Sequence, residues 1–373
     1  MNYAKAILPG ETIGIIGGGQ LGRMLAFSAQ SMGYKVGVLD PQVDCPAGQV
    51  ATWQIVGEYS DDMALAEMAE RCDVLTYEFE NIDAEALDRV REQVFVPQGV
   101  TVLEVTQNRQ LEKNFLSEHG FPVASYEMAE QVAELDRAIE TIGYPSVLKT
   151  IRGGYDGHGQ VVLKTSEDLS LARELLVGGT CVLEQWVSFE KEVSIMVSRN
   201  LAGEIAVFPV SENEHRQNIL HQSIVPARVT PAVQSEIQVL AKALAEKLKL
   251  CGVLGIEFFI GETVIINELA PRPHNSGHYS IEACDYSQFD LHILSICQRP
   301  LPEVNLLQPA VMVNILGQHV APIYETLLQK AEWHVHFYGK TEAKENRKMG
   351  HVTILTKNCE DTLAEIKGEH IWD

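Results

Sequence analysis

Tyr144-Pro145-Ser146-Val147-Leu148-Lys149 is an apolar run ending in lysine, and a glycine loop follows it, Arg152-Gly153-Gly154-Tyr155-Asp156-Gly157-His158-Gly159-Gln160. Roughly a hundred residues on stand Gly255-Ile256-Glu257-Phe258-Phe259-Ile260, then Gly261-Glu262, then Thr263-Val264-Ile265-Ile266-Asn267-Glu268-Leu269. Backbone N–H groups freed by glycine wrap phosphate oxygens, and a lysine beside them adds a point charge. The loop lacks the Gly-Lys-Ser/Thr ending of a Walker loop. The later stretch reads as a hairpin with a two-residue loop that opens with glycine, a type II′ turn. That register sets Ile260 opposite Thr263, Glu257 opposite Ile266 and Glu268 opposite Gly255. The two glutamates then lie diagonally on one face, roughly 7–8 Å apart at Cα, within reach of one cation. Magnesium favours a few carboxylates completed by substrate phosphates. Together these features suggest an enzyme that uses ATP to activate a carboxyl-type acid. The structural alternatives are a flexible surface hairpin at 152–160 and an edge hairpin with solvated glutamates. Against the second, the flanking Ile and Phe residues imply a buried sheet, where carboxylates need partners.

The 373 residues suffice for two or three domains, and a hydrophobic content of 46% is ordinary for a globular protein. A formal charge of −22 argues against a nucleic-acid or anionic-membrane binder, which would need a basic face. Positive groups for an anionic ligand must therefore be concentrated locally. The seven cysteines form no Cys-x-x-Cys pair and are odd in number, which fits a reducing cytoplasm better than a zinc site or a disulfide framework. No apolar run follows Met1-Asn2-Tyr3-Ala4-Lys5, and no stretch approaches ~18 uninterrupted apolar residues.

Residues 12 to about 100 alternate strands (Thr12–Ile16, Val36–Asp40, Val74–Tyr77, a short one before Pro97) with helices, a small parallel α/β unit. From about 107 the order changes. Helices over 109–119 and 129–142 precede strands ending at Lys149 and Glu184. Strands over 192–197 and 204–210, a helix over 234–250, the glutamate hairpin and a helix near 286–297 complete the middle. After Arg299-Pro300-Leu301-Pro302 the chain is mostly β. Gly17-Gly18-Gly19-Gln20-Leu21-Gly22 matches the dinucleotide fingerprint, with Asp40 where a ribose-binding acid belongs. Alone that would suggest a nicotinamide oxidoreductase, but the glycines require only a tight turn and a helix N-terminus that accepts a phosphate. Ala270-Pro271-Arg272-Pro273-His274-Asn275-Ser276-Gly277-His278 sets Arg, two His and Asn beside Glu268, and the arginine fork suits carboxylate or bicarbonate. His278 reads as a hydrogen-bonded loop residue. The 336–351 stretch holds a basic cluster that includes Lys340 and Arg347, notable in so acidic a chain.

The order of Lys149, the glycine loop, Glu184-Gln185-Trp186-Val187, Glu192, Glu257 and Asn267-Glu268 resembles the ATP-grasp fold. Three stretches resemble the N5-carboxyaminoimidazole ribonucleotide synthase family of purine biosynthesis: Gly17 to Met24, Pro271 to His278, and Tyr338-Gly339-Lys340 with Arg347 to His351. The resemblance implies α/β and α+β layers in three parts: a Rossmann-like pre-ATP-grasp domain over 1–108, a two-lobed ATP-grasp domain over 109–300 and a β-rich domain over 301–373. It implies ATP contacts at Arg109, Lys149, the 154–160 loop (Gly154, Tyr155, Asp156, Gly157, His158, Gly159, Gln160), Glu184 to Val187, Glu192, His215, Asn267 and Glu268. Glu257 and Glu268 would carry magnesium, expected as two ions. Arg272, His274 and Asn275 would hold bicarbonate or the intermediate, with Asp156 at the substrate amine. Gln20, Leu21, Glu78, Lys340 and Arg347 would hold aminoimidazole ribonucleotide. A cytoplasmic homodimer with small-molecule substrates, and neither nucleic acid nor membrane as partner, is the further implication. His158 stands where relatives carry Lys or Arg, and a histidine is only partly charged near neutral pH. Another ATP-grasp ligase, the formate-using glycinamide ribonucleotide formyltransferase, shares the ATP ligands and differs in the 271–278 and 338–351 stretches.

Overall fold

The computed structural model describes residues 6–154 and 158–372. Strands β1 (Thr12–Ile16), β2 (Lys35–Asp40), β3 (Trp53–Val56) and β4 (Val74–Tyr77) form a four-stranded parallel sheet in the order β3-β2-β1-β4. Every residue of β4 is buried, as expected of a parallel sheet covered on both faces. The expected strand before Pro97 amounts to a single bridge between Phe95 and Val74. β3 had no expectation attached; it contributes only four residues with one buried side chain.

A second, antiparallel sheet comprises β5 (Tyr126–Ala129), β6 (Ser146–Thr150), β7 (Gln160–Leu163) and β8 (Cys181–Gln185), ordered β5-β8-β6-β7. The remaining strands are β9 (Lys191–Arg199), β10 (Ile205–Val207), β11 (Ser211–Arg216), β12 (Ile219–Val225), β13 (Gly252–Ile260), β14 (Val264–Ala270), β15 (Ala310–Leu316), β16 (Trp333–Phe337) and β17 (Lys348–Leu355). They join in one sheet, β14-β13-β9-β11-β12-β15-β17-β16, with β10 beside β9. The C-terminal strands thus extend the central sheet through β12 and β15, and the 301–373 segment adds helices Val320–Thr326 and Cys359–Gly368.

Local signals set most helix ends. The helix expected over 234–250 spans Pro231–Lys247, because Thr230 accepts a hydrogen bond from the Val233 N–H and Pro231 occupies the first turn. The helix expected from 129 spans Val132–Ile142, since Tyr126–Ala129 pairs with β8 instead. Ile237, Ala241 and Leu244 of the long helix pack on Val193, Ile195, Leu254 and Ile256 of the large sheet. Phe289, Ile293 and Ile296 of the helix Gln288–Ile296 pack with Ile13, Ile15, Val36 and Leu25 of the N-terminal unit. That interface holds the first glycine loop against the central domain. All seven cysteines are free thiols, and among the described residues no helix is long and apolar enough to cross a membrane.

Candidate active site

The nucleotide end of the site starts with a cap. Asn108 accepts hydrogen bonds from the N–H groups of Gln110 (2.9 Å) and Leu111 (3.4 Å) and so starts the helix Arg109–Glu118. Arg109, Glu112 and Lys113 then share one face, three and four residues apart. Across from them, antiparallel pairing sets Val147 of β6 opposite Glu184 of β8, and Lys149 two residues on shares that face. Lys149 Nζ lies 3.1 Å from Glu184 Oε2, and Lys113 Nζ lies 3.3 Å from the same oxygen. Burial alone would push the Glu184 carboxyl up, but Lys149 and Lys113 outweigh it and hold it at about 2. One carboxylate between two ammonium groups leaves a local excess of positive charge inside a chain of net charge −22.

The glutamate hairpin differs from the expected register. Ile260 pairs with Val264, so the loop is Gly261-Glu262-Thr263, and a bulge between Glu257 and Phe258 sets Glu257 directly opposite Glu268. The extra residue on β14 is Asn267, whose Nδ2 reaches Glu257 Oε2 at 3.4 Å. The bulge re-aims both carboxylates onto one side of the ladder, where a diagonal pair was expected. Burial, then the charge of Glu268, raises the Glu257 carboxyl. A divalent cation between the two glutamates would relieve that repulsion, so these residues fit magnesium. Among the described residues no group of three His, Cys, Asp or Glu could close around a metal, which leaves phosphate oxygens to complete the shell. Arg109 Nη1 sits 3.3 Å from Glu268 Oε2 and ties the phosphate side to the metal side.

The 271–278 loop lies beside this pair. His274 Nδ1 accepts from the Ser276 N–H (3.4 Å) and contacts Ser276 Oγ (2.8 Å), which assigns the ring proton to Nε2, 3.5 Å from Glu257 Oε1. Burial, then Arg272, pushes His274 well below the ordinary histidine range, so the ring is neutral. Gly255 permits this approach: a Cβ there would lie 2.7 Å from the His274 Cβ. Asn275 exchanges hydrogen bonds with Asn314 through Nδ2 to Oδ1 at 3.0 Å and its reciprocal at 2.5 Å. Arg272 presents its fork to Glu80, with Nη2 3.1 Å from Oε1 and Nε on Oε2. Sequence reading reserved that fork for bicarbonate; in the structure a carboxylate of the N-terminal unit already binds it. His278 is buried, with its Nδ1 at 3.0 Å from Gln288 Nε2.

The first glycine loop is closed to a dinucleotide. The Gly18 N–H donates to Asp40 Oδ2 at 2.7 Å, and Tyr59 OH donates to the same oxygen at 2.7 Å. Glu78 accepts from the Gly19 N–H and, at 2.6 Å, from the Gly22 N–H. A Cβ on Gly19 would stand 2.5 Å from Glu78 Oε1, so the loop is built around that carboxylate. Asp40 therefore secures the loop and is not free to hold a cofactor ribose. Lys340 reaches over it, with Nζ donating to Gln20 Oε1 at 2.8 Å and to the Lys348 carbonyl at 2.7 Å.

A single cavity of about 710 Å³ brings most of the expected residues together. Its walls include Gln20, Leu21, Glu78, Arg109, Lys149, Gly154, His158, Gln160, Glu184, Gln185, Trp186, Val187, Glu192, His215, Glu257, Asn267, Glu268, Arg272, His274, Asn275 and Lys340. Glu192 and His215 form an ion pair through Oε2 and Nδ1. Gly159 is absent from the lining, and so is Arg347, whose Nη1 donates to the Glu342 carbonyl at 3.0 Å. Tyr155, Asp156 and Gly157 lie outside the described residues. Sequence reading missed Glu80, Lys348 and the stacked pair Phe189–Phe259 in the wall, and Lys113 behind it. The four-residue spacing from Arg109 could have pointed to Lys113. Nothing local marks Glu80, because its partner lies 192 residues away.

A small antiparallel sheet bearing a lysine and a glycine loop, set against a larger sheet with two opposed glutamates, defines an ATP-grasp protein. The model of the ATP-grasp domain matches residues 114–289, that of the ribonucleotide synthetase preATP-grasp domain matches 10–107, and that of the phosphoribosylaminoimidazole carboxylase C-terminal domain matches 310–365. The chain is 48% identical over 366 residues to the N5-carboxyaminoimidazole ribonucleotide synthase of Bacillus subtilis strain 168, covering 97% of this chain and 96% of the relative. An N5-carboxyaminoimidazole ribonucleotide synthetase solved as its ADP complex superposes with a TM-score of 0.97 at 52% identity, over 100% of this chain and 99% of that one. The Aspergillus clavatus N5-carboxyaminoimidazole synthase, solved with ADP and 5-aminoimidazole ribonucleotide, superposes with a TM-score of 0.90 at 31% identity, over 97% and 98%. The chain belongs to the N5-carboxyaminoimidazole ribonucleotide synthase family.

Proposed function

We propose that the protein carboxylates 5-aminoimidazole ribonucleotide with bicarbonate, converting ATP to ADP and phosphate, as a C–N ligase of purine biosynthesis. The observation that carries this reading is the continuous cavity. One cavity is lined by Lys149 and Arg109, by Arg272, His274 and Asn275, and by Gln20 and Lys340. A phosphate donor, a small anion and a phosphorylated acceptor match those three groups.

Bicarbonate is a poor electrophile, and phosphorylation corrects this. A bicarbonate oxygen attacks the γ-phosphorus of ATP, the bond to the β-phosphate oxygen breaks, and carboxyphosphate and ADP result. The exocyclic amine of the ribonucleotide then forms a C–N bond to the carboxyl carbon, directly or through carbon dioxide released from it, as phosphate leaves and the amine gives up its proton. Phosphoryl transfer of this kind depends on positioning and charge stabilisation. Arg109 and the paired Lys149 supply fixed positive charge at the phosphates. Glu257 and Glu268 would hold magnesium, in our reading two ions, which neutralises phosphate charge when bound. Arg272, His274 and Asn275 hold the bicarbonate or its phosphorylated form, the neutral His274 ring lying with Nε2 3.5 Å from Glu257 Oε1, and Asp156 receives the substrate amine. Gln20, Leu21, Glu78 and Lys340 take the ribonucleotide, with Arg347 adding charge at its phosphate. A cytoplasmic homodimer completes the reading.

The test is ADP release from ATP and magnesium in degassed buffer, with bicarbonate and aminoimidazole ribonucleotide supplied separately and together. Stimulation that requires the ribonucleotide, with acid-labile fixed carbon, is the expected result. Stimulation by glycinamide ribonucleotide and formate in its place would keep the fold and transfer the substrate assignment to the formate-using ligases.

A pH dependence follows for Lys340. Burial, then Arg347, pulls its ammonium down to about 8. Its charge is present below that pH and lost above it, so the ribonucleotide KM of the wild type should rise as pH passes about 8. Lys340→Ala should raise that KM roughly 10- to 100-fold at neutral pH, the worth of one charge-assisted contact, and abolish the inflection. An unchanged KM profile would remove Lys340 from the phosphate site.

A further inference from the structure

Lys113 lies behind the cavity wall, 1% exposed, on the helix that presents Arg109. A buried ammonium carries a desolvation cost of several kcal/mol unless well paired, so simple packing at this position would favour an apolar side chain. Among the described residues it makes two polar contacts, on different sheets. One is Glu184 Oε2 of β8 at 3.3 Å, and the other is the Asn267 carbonyl of β14 at 3.5 Å. The preceding residue, Glu112, is also buried, and its Oε2 accepts from the Leu269 N–H at 3.3 Å. The helix therefore grips β14 on both sides of Glu268, at the carbonyl before it and the amide after it. The same ammonium shares the carboxylate that holds Lys149.

We infer that Lys113 is a positioning residue that sets the separation between the nucleotide-binding sheet and the strand carrying the metal glutamate, and so tunes the affinity for magnesium-bound nucleotide. It is not among the residues that line the cavity. The inference rests on the nucleotide reading of the cavity. A general packing role would weaken every ligand alike; a strut between Glu184 and β14 should matter most when both half-sites are engaged at once.

The experiment is calorimetric binding of ADP to the full chain, with and without magnesium, for the wild type, Lys113→Met and Lys113→Gln. Lys113→Met should weaken magnesium-ADP binding by about tenfold and metal-free ADP by less than about threefold. Lys113→Gln retains a donor for one partner and should lose about threefold for magnesium-ADP, with the same selectivity. Should Lys113→Met fail to fold, the glutamine variant carries the test. Magnesium-ADP binding equal to wild type in the folded variants, or an equal loss with and without the metal, overturns the inference and leaves the functional reading standing. Failure of the wild type to bind magnesium-ADP overturns both.

Discussion

Glu257→Gln should lower kcat by at least about a thousandfold while raising the melting temperature of the metal-free protein. The two effects share one cause. Burial and the facing Glu268 raise the Glu257 carboxyl, so the folded chain holds this proton more tightly than the unfolded chain does. Where the folded state binds more protons, stability falls as pH rises, here upward from the ordinary glutamate range. At neutral pH the carboxylate is therefore a destabilising group until a cation arrives. The amide keeps the shape and a hydrogen-bond acceptor for Asn267 and removes the repulsion. A gain of about 1 kcal/mol is the scale of such relief. Magnesium should then stabilise the wild type and have little effect on the variant. Thermal denaturation with and without magnesium, beside steady-state ADP release, checks both halves. A variant that melts below wild type in the absence of metal would contradict the electrostatic account of the pair.

Arg272→Lys should lower ribonucleotide-dependent kcat by about a hundredfold or more, although the charge is retained. Glu80 takes Nε and one Nη2 hydrogen of Arg272, so Nη1 and the other Nη2 hydrogen are the parallel donors a planar anion would use, whereas an ammonium supplies a single point of contact. The structure adds a second consequence. Burial would raise the Glu80 carboxyl, but Arg272 outweighs it and holds it below the usual range. Lysine reproduces that partnership only in part, so the variant should also lose up to about 2 kcal/mol of stability, between the surface and buried limits for ion pairs. Glu80→Gln separates the two roles, because it weakens the hold on Arg272 without altering the fork. That variant should keep more turnover than Arg272→Lys. Full ribonucleotide-dependent activity in Arg272→Lys would remove the arginine from the bicarbonate site.

Much of the site was legible in the chain because its parts are local. Lys149 ends an apolar run and a glycine loop begins at Arg152-Gly153, three residues on, and that order required no tertiary information. Asn267-Glu268 and Glu257 flank a short turn, so their proximity follows from the hairpin alone. The loop length and the bulge did not follow. A glycine-led pair of residues matches a two-residue turn, whereas the ladder places three residues in the loop and absorbs the offset at Asn267. Alternation along each strand is unchanged by such an offset until the bulge is reached, so the pattern carried no warning. The dinucleotide fingerprint misled for a related reason. Glycine spacing specifies a turn and a free helix N-terminus, but not what fills it, and here Glu78 and Asp40 do.

The amino-acid order by itself settled the fold family and the chemical types at the site, since strand periodicity, glycine loops and paired carboxylates are written in contiguous residues. Which charge meets which was decided only by tertiary packing. Glu184 lies between Lys113 and Lys149, Arg272 faces Glu80, and Lys340 lies over Gln20 because helices and sheets far apart in the chain are pressed together there. Coulombic and hydrogen-bonding energies depend on distances of a few ångströms between groups separated by up to 320 residues, and no local pattern encodes those distances.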